Sequence, residues 1–341
     1  MRPTIARMFA SLLAPVLGLA LASAVPHAAG QSLQNRPVRI VVPYTTGGPA
    51  DAATRVLAES IAPILGVPVV VENRPGANGK IAVDAVARAE PDGHTLLVGG
   101  TPQYIILPLV DKSIGYDPFA EFRMVSIFSA YDIVFMTGAS SGIRTMKELA
   151  DRMRKDKDVT FASIGQAQLT PPGLAYLVFA RMIDGTASEV NYPGQAPGMI
   201  DLIAGRVTFA AYTLTGAMQH IQAGRLVPLA VASPARLPQL PETPTMAEAG
   251  FPEFMTANNW VSWIAVAAPA KTPDAIVESI NRAIVQAART DAFKTKIAAT
   301  GLLAKATDSA PQEQAAWRAE HERLAATLER FRIRMPQDRK P

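Results

Sequence analysis

The chain has 341 residues, 49% of them apolar and 18% charged, which is enough for two domains with sizeable cores and leaves no room for long charged tails. It has no cysteine, which excludes a disulfide framework, a thiolate metal site, a cysteine nucleophile and a lipidated cysteine anchor. The formal charge is only +4, and scattered Lys and Arg residues lack the clustered basic face that nucleic-acid binding needs, so no nucleic-acid partner is expected.

Residues 1–30 read as a secretory leader. Arg2 and Arg7 supply the positive start, Met8–Ala22 is an apolar stretch too short to span a bilayer, and Ala22-x-Ala24 is a cleavage pattern. Cleavage is expected between about residues 24 and 30, leaving a mature periplasmic protein without lipid anchor.

From Pro37 the chain alternates strand, glycine-marked loop and helix. Pro37–Pro43 is a β-branched run, Tyr44–Asp51 a loop, and Ala52–Leu65 a helical pattern with Asp51 as its expected N-cap. The cycle repeats with strand Pro68–Glu72, loop Asn73–Gly79, helix Lys80–Ala89 and strand Thr95–Gly99. Thr101–Asp117 reads as a connector, and Phe119–Ser129 and Asp132–Gly138 as extended segments. Thr145-x-x-Glu148 is a capping box opening a helix. Strands then fall at Val159–Ser163, Glu189–Tyr192, Val207–Tyr212 and Val227–Ala232, with helices over Gly173–Ile183, Pro197–Ala204 and Thr215–Ala223. Four prolines crowd residues 234–244; Thr245-x-x-Glu248 marks a short helix closed by Gly250, and Asn259–Ala267 a strand. Thr272-Pro273 opens a long helix to about Arg289, and Ser309-x-x-Gln312 opens the last, with Trp317, Leu324, Leu328 and Phe331 on one face. Such alternation predicts α/β architecture, with ligands at loops beyond the strand ends.

The stretch Pro37–Gly100, followed in order by Tyr192–Pro197 (YPGQAP), Asp201–Val207 (DLIAGRV), His220–Arg225 (HIQAGR) and Pro244–Gly250 (PTMAEAG), resembles the Bug solute receptors. These are the extracytoplasmic binding proteins of tripartite tricarboxylate transporters. The resemblance implies a two-lobed periplasmic-binding-protein fold of the second topological type (class II), with mixed, mostly parallel sheets flanked by helices. Lobe 1 would hold residues 34–128 plus 248–341, lobe 2 residues 129–247, with the ligand cleft between them. Unaided, the pattern equally allows two consecutive α/β domains.

The loop Tyr44-Thr45-Thr46-Gly47-Gly48 with Ala50 and Asp51 is the first candidate ligand site, since glycines allow close approach and a helix N-terminus favours an anion. The resemblance makes it one jaw of a pincer, with Tyr44 lining the cavity. Ser163, Gly165, Gln166, Ala167 and Gln168 correspond to the other jaw. There Ala167, Gln168 and Leu169 replace the family's glycine and hydroxyl residues, and Pro171 stands for its histidine. Tyr212 stands where the family often has an aspartate. These departures point to a monocarboxylate, favouring an aromatic one, rather than a cationic or amino-acid ligand. Thr101, Gln103, Tyr192 and Gly194 follow strands and are further candidates.

Enzyme signatures are missing. The chain has no G-x-S-x-G elbow, no H-E-x-x-H site and no G-x-G-x-x-G fingerprint, and Gly76–Lys80 is too short for a phosphate loop. The expected function is capture of a small organic carboxylate for a membrane permease, without metal or cofactor and as a monomer by default. A ligand sensor docking on a signalling protein, or a hydrolase or transferase using the cleft, are the alternatives.

Overall fold

In the computed structural model the described residues are 33, 36–111, 113–257, 260, 262–306 and 309–333. The expected leader lies outside them. Strands, numbered along the chain, are β1 (Val38–Val42), β2 (Val69–Asn73), β3 (Thr95–Gly100), β4 (Phe122–Tyr131), β5 (Ile133–Gly138), β6 (Thr160–Ile164), β7 (Ser188–Tyr192), β8 (Phe209–Thr213), β9 (Leu226–Val231), β10 (Ser262–Pro269) and β11 (Leu303–Ala304).

They build two mixed sheets, ordered β11-β4-β10-β3-β1-β2 and β7-β6-β8-β5-β9. In the first, β1 pairs in parallel with β2 and β3, and β10 lies antiparallel between β3 and β4. In the second, β6 pairs in parallel with β7 and β8, and β5 lies antiparallel between β8 and β9. Each sheet thus receives one reversed strand in its middle, and each of these is the first strand after the chain changes sheets. β4 pairs with β10 out to Tyr131, so the first sheet continues three residues beyond the expected limit at 128. Asp132 alone separates β4 from β5.

β1 is apolar except for the exposed Arg39, because both of its faces are covered over the rest of its length. Val38, Ile40 and Val42 pack with Leu57 and Ile61 of the helix Pro49–Leu65, while Val41 faces Ala82 and Val86 of the helix Lys80–Ala87. The largest core cluster is continuous between the sheets, running from Leu97 and Phe122 through Trp317 and Trp260 to Phe135, Phe161 and Phe209. Separate clusters back the outer face of each sheet.

Several expectations need correction. The connector Thr101–Asp117 winds into a π-turn, Pro102–Ile106, and a short helix, Leu107–Val110. A helical turn, Pro118–Glu121, capped by Asp117, precedes β4. The capping box at Thr145 forms as expected and opens the helix Met146–Lys155. The box at Thr245 also forms, but without a helix. Its neighbours Pro244 and Met246 bond the backbone of Val231, which holds the segment as a turn beside β9; the helix comes later, at Pro252–Ala257. Thr272 does not cap the helix Asp274–Ala288, whose N-cap is Pro273. The helix Asp291–Ala299, capped by Thr290, is one that the sequence pattern does not predict.

Candidate functional site

The loops after β1, β2 and β3 converge at one end of the first sheet, and those after β6, β7 and β8 at one end of the second. The helix Leu107–Val110 packs against the turn Ala167–Leu169, bringing the two loop sets together.

Asp51 is not the N-cap. The helix begins at Pro49 with Gly48 as cap, and Asp51 is buried in its first turn. Proline at the first position sets the helical φ early, which moves the start three residues ahead of the expected one. The Asp51 carboxylate accepts from Gly47 N (2.9 Å), Asn73 Nδ2 (2.8 Å) and Arg55 Nε (3.1 Å) and Nη2 (3.0 Å). Burial disfavours its charge, yet the bonds from Arg55, Gly47 and Asn73 hold its carboxyl below the usual range. Asn73 Nδ2 also donates to Tyr44 O at 3.0 Å. Asp51 therefore shapes the loop from beneath, while Thr45, Thr46 and Gly47 lie on its exposed side. Gly48, Ala50 and Asp51 contribute the main-chain N–H groups that have no partner within the helix.

Gln103 is 4% exposed and joins all three loops of this jaw. Its Oε1 accepts from Tyr44 Oη (2.8 Å) and Gly100 N (3.2 Å), and its Nε2 donates to Asn78 O (3.3 Å). Gly79 is required beside it: a Cβ there would stand 2.9 Å from Nε2, and the residue has φ of +95°. Burial first, then the neighbouring Tyr131, raises the Tyr44 hydroxyl well above its ordinary value, so it stays a neutral donor. Tyr131 hydrogen-bonds Ser262, and Thr101 Oγ1 accepts from Trp263 N at 3.5 Å. The pairing of β4 with β10 brings Tyr131 to this corner, a placement no local pattern signals.

The second jaw is largely satisfied from within. Gly165 N donates to Tyr192 O, Ala167 N to Glu189 Oε1 (3.0 Å), Leu169 N to Gln166 O and Thr170 N to Ala167 O. Thr170 caps the helix Pro171–Met182 by accepting from Gly173 N, and Pro171 and Pro172 have no N–H to offer. Gln168 Nε2 donates to Gln166 Oε1 at 3.0 Å, and Gln166 is exposed. Ser163 and Ala167 are buried, and a Cβ on Gly173 would lie 2.1 Å from Ala167 O. Gln195, which no sequence motif singles out as a site residue, clamps Thr213: its amide donates to Thr213 O and accepts from Thr213 N and Oγ1.

Tyr212 is 1% exposed and packs in the outer cluster of the second sheet, its hydroxyl against Gly198. Tyr192, next to Gly194 and half-buried, donates to Asp201 Oδ2 at 2.7 Å. Burial first, then that bond, lifts its hydroxyl to about 12. Among the described residues there is no cluster of metal-ligating side chains, and no helix is long and apolar enough to cross a membrane.

Two lobes with loop sets converging at their strand ends define a periplasmic-binding-protein fold. Residues 53–327 match the tripartite tricarboxylate transporter family receptor model, and the chain belongs to that family. A UPF0065 protein of Bordetella bronchiseptica is 35% identical over 80% of this chain and 78% of its own length. Protein BugT of Bordetella pertussis is 32% identical over 84% and 87%. The periplasmic binding protein BugD superposes with a TM-score of 0.74 at 28% identity, covering 88% of this chain and 99% of its own. R. palustris Rpa4515 with adipate gives 0.75 at 29% over 88% and 98%, and MatC from Rhodopseudomonas palustris with bound malate 0.73 at 26% over 86% and 99%. These are solute-binding receptors, not enzymes.

Proposed function

We propose that this chain captures a small monocarboxylate, favouring one with an aromatic body, in the periplasm and presents it to a permease of the tripartite type. The observation that carries this reading is the asymmetry of the two jaws. The first offers the N-terminus of a 17-residue helix, Pro49–Leu65, with its Asp51 carboxylate already neutralised by Arg55. The second has most of its backbone donors occupied and offers side-chain amides. A carboxylate held by Thr45, Thr46, Gly48 and Ala50, with the Gly47 N–H turned inward to Asp51 and an uncharged end toward Gly165, Gln166, Gln168 and Gly194, fits that division. Tyr44, held by Gln103, and the neighbouring Tyr131 would meet the aromatic body, with Thr101 beside them bonded to Trp263. Ser163, Ala167 and Tyr212 act from beneath, and Tyr192 fixes the neighbouring loop.

Ligand contacting both lobes favours the closed state only through its differential affinity for that state. The carboxylates in the adipate and malate complexes of relatives support an acid ligand here, and the family supports a periplasmic receptor; we take it as a monomer with lobe 1 at residues 34–128 plus 248–341 and lobe 2 at 129–247, the first sheet itself reaching Tyr131. The test is mass spectrometry of ligand released from native protein, then calorimetry with that compound and a panel of mono- and dicarboxylates. A stoichiometric monocarboxylate bound unchanged is expected. Preference for a dicarboxylate by tenfold or more (about 1.4 kcal/mol) would overturn the monocarboxylate reading.

A further inference from the structure

The helix Ala310–Arg330 carries three buried polar side chains at seven-residue intervals: Glu313, Glu320 and Thr327. Seven residues are close to two turns, so the three lie along one stripe. Each bonds a different segment of the passage between the sheets. Glu313 Oε1 accepts from Ile127 N on β4, the strand that leads out of the first sheet. Glu320 Oε2 accepts from Trp263 Nε1 at 2.8 Å on β10, the strand that brings the chain back. Thr327 Oγ1 donates to Ala257 O, at the end of the helix Pro252–Ala257. That helix packs Phe254 on Phe135 and Phe179, beside the second sheet. Two further bonds reinforce the seam, from Met124 N to Gln314 Oε1 (2.8 Å) and from Trp317 Nε1 to Tyr104 O (3.0 Å).

We propose that this last helix is a strap across the passage between the lobes, and that the protonation state of Glu320 sets how tightly it holds. Glu320 sits at the N–H edge of the Trp263 indole, whose ring stacks on Tyr104 with centroids 5.9 Å apart. The groups facing it are Arg323 and Glu313 of its own helix and Lys305, which follows β11; Lys305 also faces Asp132, the residue between β4 and β5. His321, next along the helix, turns instead onto Phe119. Burial is the largest influence and lifts the Glu320 carboxyl to about 7, against the pull of Trp263, Arg323 and Lys305. A neutral Glu320 can keep accepting from Trp263 at no charge-burial cost; an ionised one draws water and cations toward a packed seam. Because the folded value lies above the unfolded one, the strap is at full strength below about pH 4.5 and loosens as pH rises through about 7.

The test uses the full mature chain, dialysed free of small molecules, as wild type, E320Q and H321N. Thermal melts, tryptophan emission and X-ray scattering are followed from about pH 5 to about pH 8. All three tryptophans, 260 and 263 beside this helix and 317 on it, belong to one core cluster. The wild type is expected to lose thermal stability, shift its emission and grow in radius of gyration with a shared midpoint. E320Q, whose amide can still accept from Trp263, should stay at its low-pH values throughout, and H321N should behave as wild type. A transition that survives in E320Q overturns the proposal. So does a radius that stays constant while stability titrates, since the helix would then only brace its own lobe. Should E320Q fail to fold, W263F removes the donor and must move the midpoint upward; an unmoved midpoint also overturns it.

Discussion

Gln103 and Asn73 show how a single side-chain amide, with a donor and an acceptor, can tie loops that are far apart in sequence. Gln103 joins Tyr44, Gly100 and Asn78, and Asn73 joins Tyr44 to Asp51 and Arg55. Neither residue type announces such a role in a linear reading. Tyr212 and Gly198 form a second residue-scale unit. The Tyr212 hydroxyl is buried with no hydrogen-bond partner, and a Cβ on Gly198 would stand 2.0 Å from it. Tyr212→Phe should therefore leave stability unchanged or raise it by up to about 1 kcal/mol. Gly198→Ala should cost about 1–3 kcal/mol through overpacking. Combining the two should recover part of that loss, the rest staying with the Tyr192 ring 3.1 Å from the same Cβ. Denaturant melts of the two single variants and the pair measure this cycle, and strict additivity would contradict it.

At the scale of elements, helix starts control both jaws. Gly48-Pro49 opens the first and Thr170-Pro171 the second, so in each the loop ends where proline sets the helical φ. Thr170 makes the only side-chain cap of the two. Thr170→Ala should cost about 1 kcal/mol in chemical unfolding. It should also free Gly173 N, so protection of that amide against hydrogen exchange falls while the helix Met146–Lys155 is unaffected. Equal loss of protection in both helices would mean that the change is global. The elements most legible in the sequence are those with local signals, such as the capping box at Thr145 and the periodic helix ending at Leu65. Thr245 has the same local signal and makes no helix, because β9 claims the backbone on either side of it. The helix Asp291–Ala299 is illegible because only Phe293 and Ile297 of its nine residues are buried, too few to print a period.

Across the whole molecule, one core cluster runs through both lobes, with Phe254 and Trp260 stacked 4.8 Å apart at the passage between them. Shared burial of that kind couples the lobes, so calorimetry should give one transition whose van't Hoff and calorimetric enthalpies agree. Two resolved transitions would show that the lobes unfold separately. The same coupling places the last helix where it touches every segment leading out of and back into the first sheet, a relation with no trace in its own 21 residues.

The sequence by itself determined the α/β alternation, the absence of thiol chemistry and, through the order of its motifs, the receptor family; it also marked Tyr44–Gly48 as the loop proposed here for an anion. Those features rest on spacing along the chain, where hydrophobic period, proline and glycine act within a few residues. Only the tertiary structure decided that Asp51 faces inward to Arg55 and Asn73, that Tyr131 is paired with Ser262 near Tyr44, and that Tyr212 is buried in the outer cluster of the second sheet. It also decided that Glu189 occupies a donor of the second jaw. Each depends on which strand becomes a neighbour of which, and β5 and β10 enter their sheets from distant parts of the chain. Side-chain direction at a strand end follows from that pairing, and no local pattern carries it.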